Sequence, residues 1–426
     1  MILNKNLLLL ISLISSQQGL AAETLEQTFA VAIANNQRIV AAQADSQAAE
    51  QQLFAAEGQR HPQLNISTGY TQLSETPTAN ANTSGGQNTQ FATAQAGSLK
   101  AQAMVSLPLF TSGRISHNIS AAEAIKRATQ QNEKTTVLNI KWQVANTFIA
   151  VFRSEKALEV ADSHVLSLKA HAKDVQNQYQ EGMVARNDLL ASQVELSNAE
   201  QQVLQKQNQL DIAKARFNQL LNRDLMAEVN LLEKFPELPQ GSLSELNQQA
   251  LTQRPELKVL SEQVGALEHQ ASSETANLLP QVNISGGYQY EENEYTAFEN
   301  MWIANATLNW TLYDGSTRHR SHAAKQQSLA LKMQRSDLIG QIKLQIRQAW
   351  LDIQETSKRV QVATQAISQA DENLKVSTER YQQGLSNNTE VLDAEDLRIQ
   401  ANNNLNNAQY DVVMAKLSLR RALGIL

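Results

Sequence analysis

Cysteine is absent from the 426 residues of this chain. That excludes a disulfide framework, a thiolate zinc site, a cysteine nucleophile and a lipidated N-terminal cysteine. Proline (7), glycine (16) and aromatic residues (5%) are all sparse, so helix breakers and bulky core formers are both scarce and long helices are favoured over a compact core. The 36 basic residues form no cluster and are outnumbered by 42 acidic ones, giving a net charge of −6; nucleic acid is a poor partner for such a surface. No apolar run reaches the roughly 20 residues that a membrane-spanning helix needs.

What is present begins with an address. Lys5 precedes an apolar run at 7–14, and Leu20, Ala21 and Ala22 offer small residues for cleavage. Residues 1–22 therefore read as a secretory signal peptide. The mature chain is exported, and any crossing of a membrane falls to strands.

The frame of the molecule is a heptad seam at 339–381. Ile339, Ile342, Ile346, Ala349, Ile353 and Thr356 begin a series that steps by three and four to Tyr381 without a slip. Subtracting 202 from each number recovers the same seam at 137–179, from Val137, Ile140 and Val144 to Tyr179. Seams this strict predict long helices packed knobs-into-holes, duplicated within one chain.

The rest of the chain follows the duplication. A helix is expected over 23–59, ended by His61-Pro62. The period then changes to two, with Leu64, Ile66 and Tyr70 on one face of a strand. Residues 71–98, rich in Thr, Asn, Gly and Gln, read as a long loop. A second strand alternates Leu99, Ala101, Ala103, Val105, Leu107 and Leu109 with mostly polar residues. A helix of roughly 100 Å is expected over 114–179, then a turn at Gly182, a return helix that Asn187 or Asp188 can cap, and a Pro-containing linker. The second copy repeats this order. Its helix runs from Ser244 toward Pro280, its strands carry Val282, Ile284 and Tyr288, then Trp302, Ala304, Ala306, Leu308, Trp310 and Leu312, and its turn is at Gly384. The offset between copies falls from 218 before the loop to 203 after it, which marks a shorter loop at 291–300. The expected organisation is a signal peptide (1–22), a first repeat (23–221), a linker (222–243) and a second repeat (244–426).

Strands of nine to eleven residues with one apolar and one polar face suit an outer-membrane barrel, with a soluble sheet as the alternative. Leu99, Val105, Leu107, Trp302, Leu308 and Trp310 are the expected lipid-facing residues. Four strands cannot close a barrel, and open edges are not tolerated in lipid, so the barrel reading requires several chains.

The motifs that carry a family resemblance are Pro-Gln-Leu-Asn-Ile-Ser at 62–67, Leu-Pro-Leu-Phe-Thr-Ser-Gly-Arg at 107–114, Leu-Tyr-Asp-Gly at 312–315 and Tyr-Gln-Gln-Gly-Leu-Ser-Asn-Asn-Thr-Glu-Val-Leu-Asp-Ala at 381–394. In this order and duplicated, they resemble the TolC family of outer-membrane efflux channels over essentially all of 23–426. The resemblance implies a homotrimer: a trimeric α-helical barrel plus a shared 12-stranded β-barrel. It further implies a non-enzymatic exit duct in the cell outer membrane, its helical tunnel in the periplasm, docked to a periplasmic adaptor protein and an inner-membrane transporter. Against that family the C-terminus is short, so the equatorial belt falls mainly to 222–241. A structural coiled-coil protein of the periplasm or cell surface is the competing class.

Four sets of residues become candidates. Gly182, Met183, Val184, Gly384 and Leu385 lie at the two helix turns, where glycine ends a helix; the resemblance implies that these tips dock the adaptor. Glu390 and Asp393 share a face at i and i+3. Capping and the helix dipole account for them locally, and the resemblance implies an acidic ring at the tunnel entrance. It also implies a latch at the gate. Asp188 and Tyr381 match its partners, but Ser386 stands where the family has arginine, which leaves Arg186 or Arg380 as substitutes. Among the histidines, His164 with His171 and His319 with His322 can share helix faces. Without a third ligand type nearby, surface or interhelical polar roles fit them better than metal. No cofactor is expected: the sequence has no Gly-rich phosphate loop and no Ser-His-Asp order worth defending.

Overall fold

A computed structural model describes residues 22–82 and 88–426. The signal peptide expected over 1–22 lies, apart from Ala22, outside the described residues. The order of elements is α1 (Leu25–Asn35), α2 (Gln37–Gly58), β1 (Gln63–Gln72), β2 (Thr78–Asn82), β3 (Asn88–Ala92), β4 (Gly97–Phe110), α3 (Arg114–Gln180), α4 (Arg186–Leu220), α5 (Leu243–Gln253), α6 (Pro255–Ala276), β5 (Gln281–Glu291), β6 (Asn300–Asn309), α7 (Thr317–Gln382) and α8 (Asn388–Leu423). The fold is mainly helical with a small share of strand, and it is internally duplicated. Contacts group it into two units. A helical unit holds the described residues up to Ala42, Glu133–Pro255 and Leu338–Leu426; a sheet unit holds the described residues of Gln43–Asn132, and Glu256–Asp337.

In the helical unit, the heptad positions Ile140, Val144, Val151, Leu168 and Val175 of α3 are buried, as are Ile342, Ile346, Ala349 and Ala363 of α7. The two copies diverge at the last position, where Tyr381 is buried and Tyr179 is exposed. The largest apolar cluster centres on Phe148. The Phe152 ring lies 5.3 Å away, and those of Phe217 and Phe235 each lie 6.2 Å away. Phe235 belongs to the linker, so aromatic packing fastens an otherwise irregular segment to α3 and α4. Arg223 adds a two-pronged ion pair to Glu23, at 3.1 and 2.9 Å; paired in this way the guanidinium fixes direction as well as charge.

The helix expected over 23–59 is two helices. At Asn36 the backbone is extended (φ −72°, ψ 124°). The Asn36 amide donates to the Leu220 carbonyl at 2.9 Å and its oxygen accepts the Arg38 N–H at 3.0 Å, so the side chain supplies bonds that the interrupted helix gives up. The second copy breaks 218 residues later, at Arg254 (φ −61°, ψ 115°). There Pro255 holds the preceding residue out of the helical region and opens α6 at its first position. Copies of one design thus reach the same break by different chemistry.

In the sheet unit, four antiparallel strands run in the order β1-β4-β5-β6. The central pair, β4 with β5, joins one copy to the other. Ile66 pairs with Ala103, Ala103 with Tyr288, and Tyr288 with Trp302; the next row is Leu64, Val105, Gly286 and Ala304. Cross-strand partners share a face, so the register gathers most of the apolar residues of the four strands on one side, with Met104, Met301 and Ile303 on the other. The other side carries rows such as Gln63, Ser106, Ser285 and Asn305. Lys100 and Glu291, paired in register across β4 and β5, form an ion pair at 2.6 Å.

Two expectations need correction here. The loop at 71–98 contains the hairpin β2–β3, whose five-residue strands pair from Thr78 opposite Ala92; backbone pairing needs no apolar face, so a polar composition concealed it. The strand expected to run through Leu312 ends at Asn309. Trp310 and Leu312 lie beyond it, and the Trp310 indole donates to the Leu278 carbonyl at 3.3 Å. After this strand Asp314 accepts hydrogen bonds from the Ser316 N–H and hydroxyl and from the Thr317 hydroxyl. Those donors hold its carboxyl at about 2, below the usual carboxylate range.

Adjacent glycines in β5 give a test of the sheet. A Cβ on Gly287 would lie 2.0 Å from the Ala103 carbonyl oxygen and 2.8 Å from the Met104 Cα, whereas one on Gly286 would meet nothing closer than 3.4 Å. Gly287→Ala is expected to separate β4 from β5 and abolish the folded sheet. Gly286→Ala is expected to leave it assembled, as read by protease protection of the strands in membrane preparations.

Candidate functional site: the helical tip

The turn between α3 and α4 and the turn between α7 and α8 are built alike. Gly182 and Gly384 adopt φ of +74° and +71°, a region that glycine enters without a Cβ clash. The Gly182 N–H bonds to the Tyr179 carbonyl and the Met183 N–H to the Gln178 carbonyl; Gly384 and Leu385 bond in the same way to Tyr381 and Arg380. The residue after each glycine is an exposed apolar one, Met183 at 68% and Leu385 at 66%. Nothing lies within 4 Å of where a Cβ would project from either glycine. Val184 instead folds inward, against the cluster of Val175, Leu189, Tyr381 and Val391.

The return helices start differently. Asn387 caps α8, its side chain accepting the Glu390 N–H at 3.0 Å. The cap of α4 is Ala185, without a side-chain bond, so neither Asn187 nor Asp188 serves the capping role expected of it. Glu390 and Asp393 are exposed, and among the described residues neither forms an ion pair.

Behind the turns lies a buried polar cluster centred on Asn388 of α8. The Asn388 side-chain oxygen sits 2.6 Å from the His171 Nε2 of α3 and accepts the Ser192 hydroxyl of α4 at 3.2 Å, while its amide donates to the Asp188 carbonyl at 3.2 Å. Ser192 also donates to the Asp188 carbonyl, at 2.9 Å. One amide therefore ties α8 to both helices of the first hairpin. Tyr381 of α7 closes the cluster from the fourth side, its ring centroid 5.6 Å from that of His171. Tyr381 is 6% exposed and its hydroxyl has no hydrogen-bond partner among the described residues; burial, with the Asp188 carboxylate nearby, raises its pKa.

The latch candidates are thus partly brought together. Asp188 and Tyr381 share this cluster. Arg186 is exposed and forms no ion pair among the described residues, Arg380 donates to the Leu385 carbonyl at 3.4 Å, and the Ser386 hydroxyl donates to the Asn387 carbonyl at 3.4 Å. His171, Ser192 and Asn388 were not legible as one group. Asn388 stands 202 residues after Arg186, and that departure from the duplication was the one signal pointing to it. Among the described residues no three His, Cys, Asp or Glu side chains come together to hold a metal ion, and no helix is long and apolar enough to cross a membrane.

Duplicated hairpins of long helices, each copy contributing two strands to one two-faced sheet, define an outer-membrane channel subunit. The outer membrane efflux protein family matches residues 29–223 and 246–425, and the chain belongs to this family, that of the TolC-type channels. It is 20% identical to outer membrane protein TolC of Vibrio cholerae over 425 residues, 95% of this chain and 91% of that protein. It is 22% identical to the alkaline protease secretion protein AprF of Pseudomonas aeruginosa over 297 residues, 67% of this chain and 61% of that one. The solved structure of the outer membrane protein VceC from Vibrio cholerae superposes with a TM-score of 0.78 at 16% identity, covering 94% of this chain and 96% of that one.

Removal of the Asn388 side chain tests the tip. Asn388→Ala strips His171 and Ser192 of a buried partner, which typically costs about 1–3 kcal/mol. Backbone amides at 386–392 are expected to exchange with deuterium faster in this variant, with those at 140–152 unchanged.

Proposed function

We propose that the chain is one subunit of a homotrimeric, passive exit duct of an efflux or type I secretion assembly. Three sheets close one twelve-stranded barrel in the outer membrane, and the hairpins of the helical unit line a periplasmic tunnel. The observation that carries this reading is the sheet itself. It has an apolar face bearing exposed Leu64, Ile66, Val105, Trp302 and Leu308, an opposite face that is mostly polar, and edge strands β1 and β6 that each pair on one side only among the described residues. In hydrocarbon an unpaired edge costs several kcal/mol for every bare polar group, so the edges must find partners on other copies. Of the expected lipid-facing residues, Leu99, Val105, Leu107, Trp302 and Leu308 share the apolar face, whereas Trp310 stands past the strand.

The helices carry a matching signal. Leu344, Leu351, Val362 and Val376 of α7 are exposed on one face, as are Leu190, Val194, Leu204 and Ile212 of α4. Apolar stripes of this kind mark surfaces that other helices cover, and neighbouring subunits supply those helices. Threefold symmetry then sets Glu390 and Asp393 in two rings of three carboxylates at the tunnel entrance, where acidic rings favour cations. The paired tips, with Met183 and Leu385 outermost, face the periplasmic adaptor, and the energy for transport comes from an inner-membrane transporter.

Expression with membrane fractionation tests the reading: the protein is expected in the outer membrane as a trimer that dissociates on heating, and a soluble monomer would overturn it. In planar bilayers the Glu390→Ala, Asp393→Ala double variant is expected to lose cation preference and block by multivalent cations. Unchanged selectivity would remove the two carboxylates from the tunnel entrance.

A further inference from the structure

On the apolar face of the sheet, bulk is unevenly spread. Gly286, Ala304 and Ala306 lie between the Tyr288–Trp302 pair, whose ring centroids stand 5.5 Å apart, and the row of Phe110, Val282 and Leu308 nearest the helices. The result is a trough of about 550 Å³, lined by Val105, Leu107, Ile284, Gly286, Ala304 and Ala306. Pro62 borders its corner on the helical side, one step beyond the Gln63–Ser106 pair at which β1 begins.

That corner is basic. Arg60 stands two residues before Pro62 and is exposed, and its Nη2 donates to the Ser116 hydroxyl at 3.2 Å, which holds the guanidinium at the foot of β1 and β4. Among the described residues it forms no ion pair, and neither do Arg318 and Lys325, both exposed on the opening turns of α7. The acids at this end are largely engaged: Asp314 accepts from Ser316 and Thr317, Glu274 pairs with Arg320 at 3.0 Å, and Glu57 is half-buried. The opposite end of the sheet has the reverse sign. Glu75, Glu291, Glu292, Glu294 and Glu299 lie there, and among the described residues of that end Lys100 is the one cation, paired with Glu291 at 2.6 Å. Trp310, Leu312 and Tyr313 are exposed just past the helical end of β6, as aromatic and apolar residues are where a bilayer meets water.

An apolar trough with a cation at one end fits a molecule that has a hydrocarbon chain and an anionic head. Any acyl chain can fill the trough, so selection among lipids falls to the head. A guanidinium has several N–H donors and Arg60 uses one on Ser116; the others can meet phosphate oxygens in charge-assisted bonds. A zwitterionic head brings its own cation to an end where positive charge is already in surplus, and an anionic head does not. We propose that this trough binds an anionic phospholipid of the leaflet on the helical side of the sheet. Its acyl chain lies along Gly286, Ala304 and Ala306, and its phosphate sits on Arg60. That this leaflet is the periplasmic one of the outer membrane rests on the conduit reading above.

Native mass spectrometry of the full chain, purified in detergent and stripped of lipid, tests this with dioleoyl phosphatidylglycerol and dioleoyl phosphatidylcholine as probes. Phosphatidylglycerol is expected to bind about tenfold more tightly, the difference that one charge-assisted contact supplies. Arg60→Gln is expected to erase the preference, whereas Lys100→Gln, which removes the same charge at the other end, is expected to keep it. Ala306→Leu fills the trough from an exposed position and is expected to weaken both lipids alike, which keeps the test open should Arg60→Gln fail to fold. Equal binding of the two lipids by the wild type would overturn the proposal. So would a preference that survives Arg60→Gln, one lost equally in Lys100→Gln, or undiminished binding by Ala306→Leu. Lipid A bound more tightly than phosphatidylglycerol, and through Arg60, would assign the site to the other leaflet and overturn it too. A trimer that conducts ions but prefers neither lipid sinks this inference alone, and a soluble monomer that still prefers phosphatidylglycerol sinks the conduit alone.

Discussion

A strand edge in hydrocarbon has nowhere to place its N–H and C=O groups, and that constraint governs this molecule more than any single contact. The sheet of one chain is two-faced and well registered, yet β1 and β6 each pair on one side only. A helix satisfies its own backbone, and a closed barrel satisfies its strands collectively; an open sheet of four does neither. In the proposed duct, neighbouring copies complete the sheet. The exposed apolar stripes of α4 and α7 fit the same logic.

Within the helical unit the seam carries a second division of labour. Apolar heptad positions give adhesion without choosing among registers, whereas polar layers choose, because a buried donor or acceptor tolerates few alignments. Near the tip His171, Ser192 and Asn388 form such a layer, satisfying one another across three helices.

Much of the fold was legible because it is periodic and repeated. The heptad seam, the change to period two after Pro62 and Pro280, and the glycine turns all follow from local chemistry, and each appears twice. What escaped the sequence was whatever depends on a partner distant in the chain. Asn36 breaks a helix because Leu220 offers it a carbonyl, and no pattern around Asn36 announces this. The β2–β3 hairpin lacks the apolar alternation that betrays a strand, and β6 ends before its apolar pattern does. At the tip, Tyr381 and Asp188 were identified through family likeness, but the residue that joins the hairpins, Asn388, stands where the first copy has Arg186, so the internal repeat does not announce it.

The central claim is that β1 of one copy pairs with β6 of the next. The chain has no cysteine, so introduced thiols report without background. With Ser67→Cys on β1 and single cysteines placed in turn from Met301 to Asn309 on β6, the account predicts disulfides between chains. They should peak at one register with period two and link three copies into a closed ring. Cross-links confined within a single chain, or none at any register in membrane-embedded protein, would contradict it.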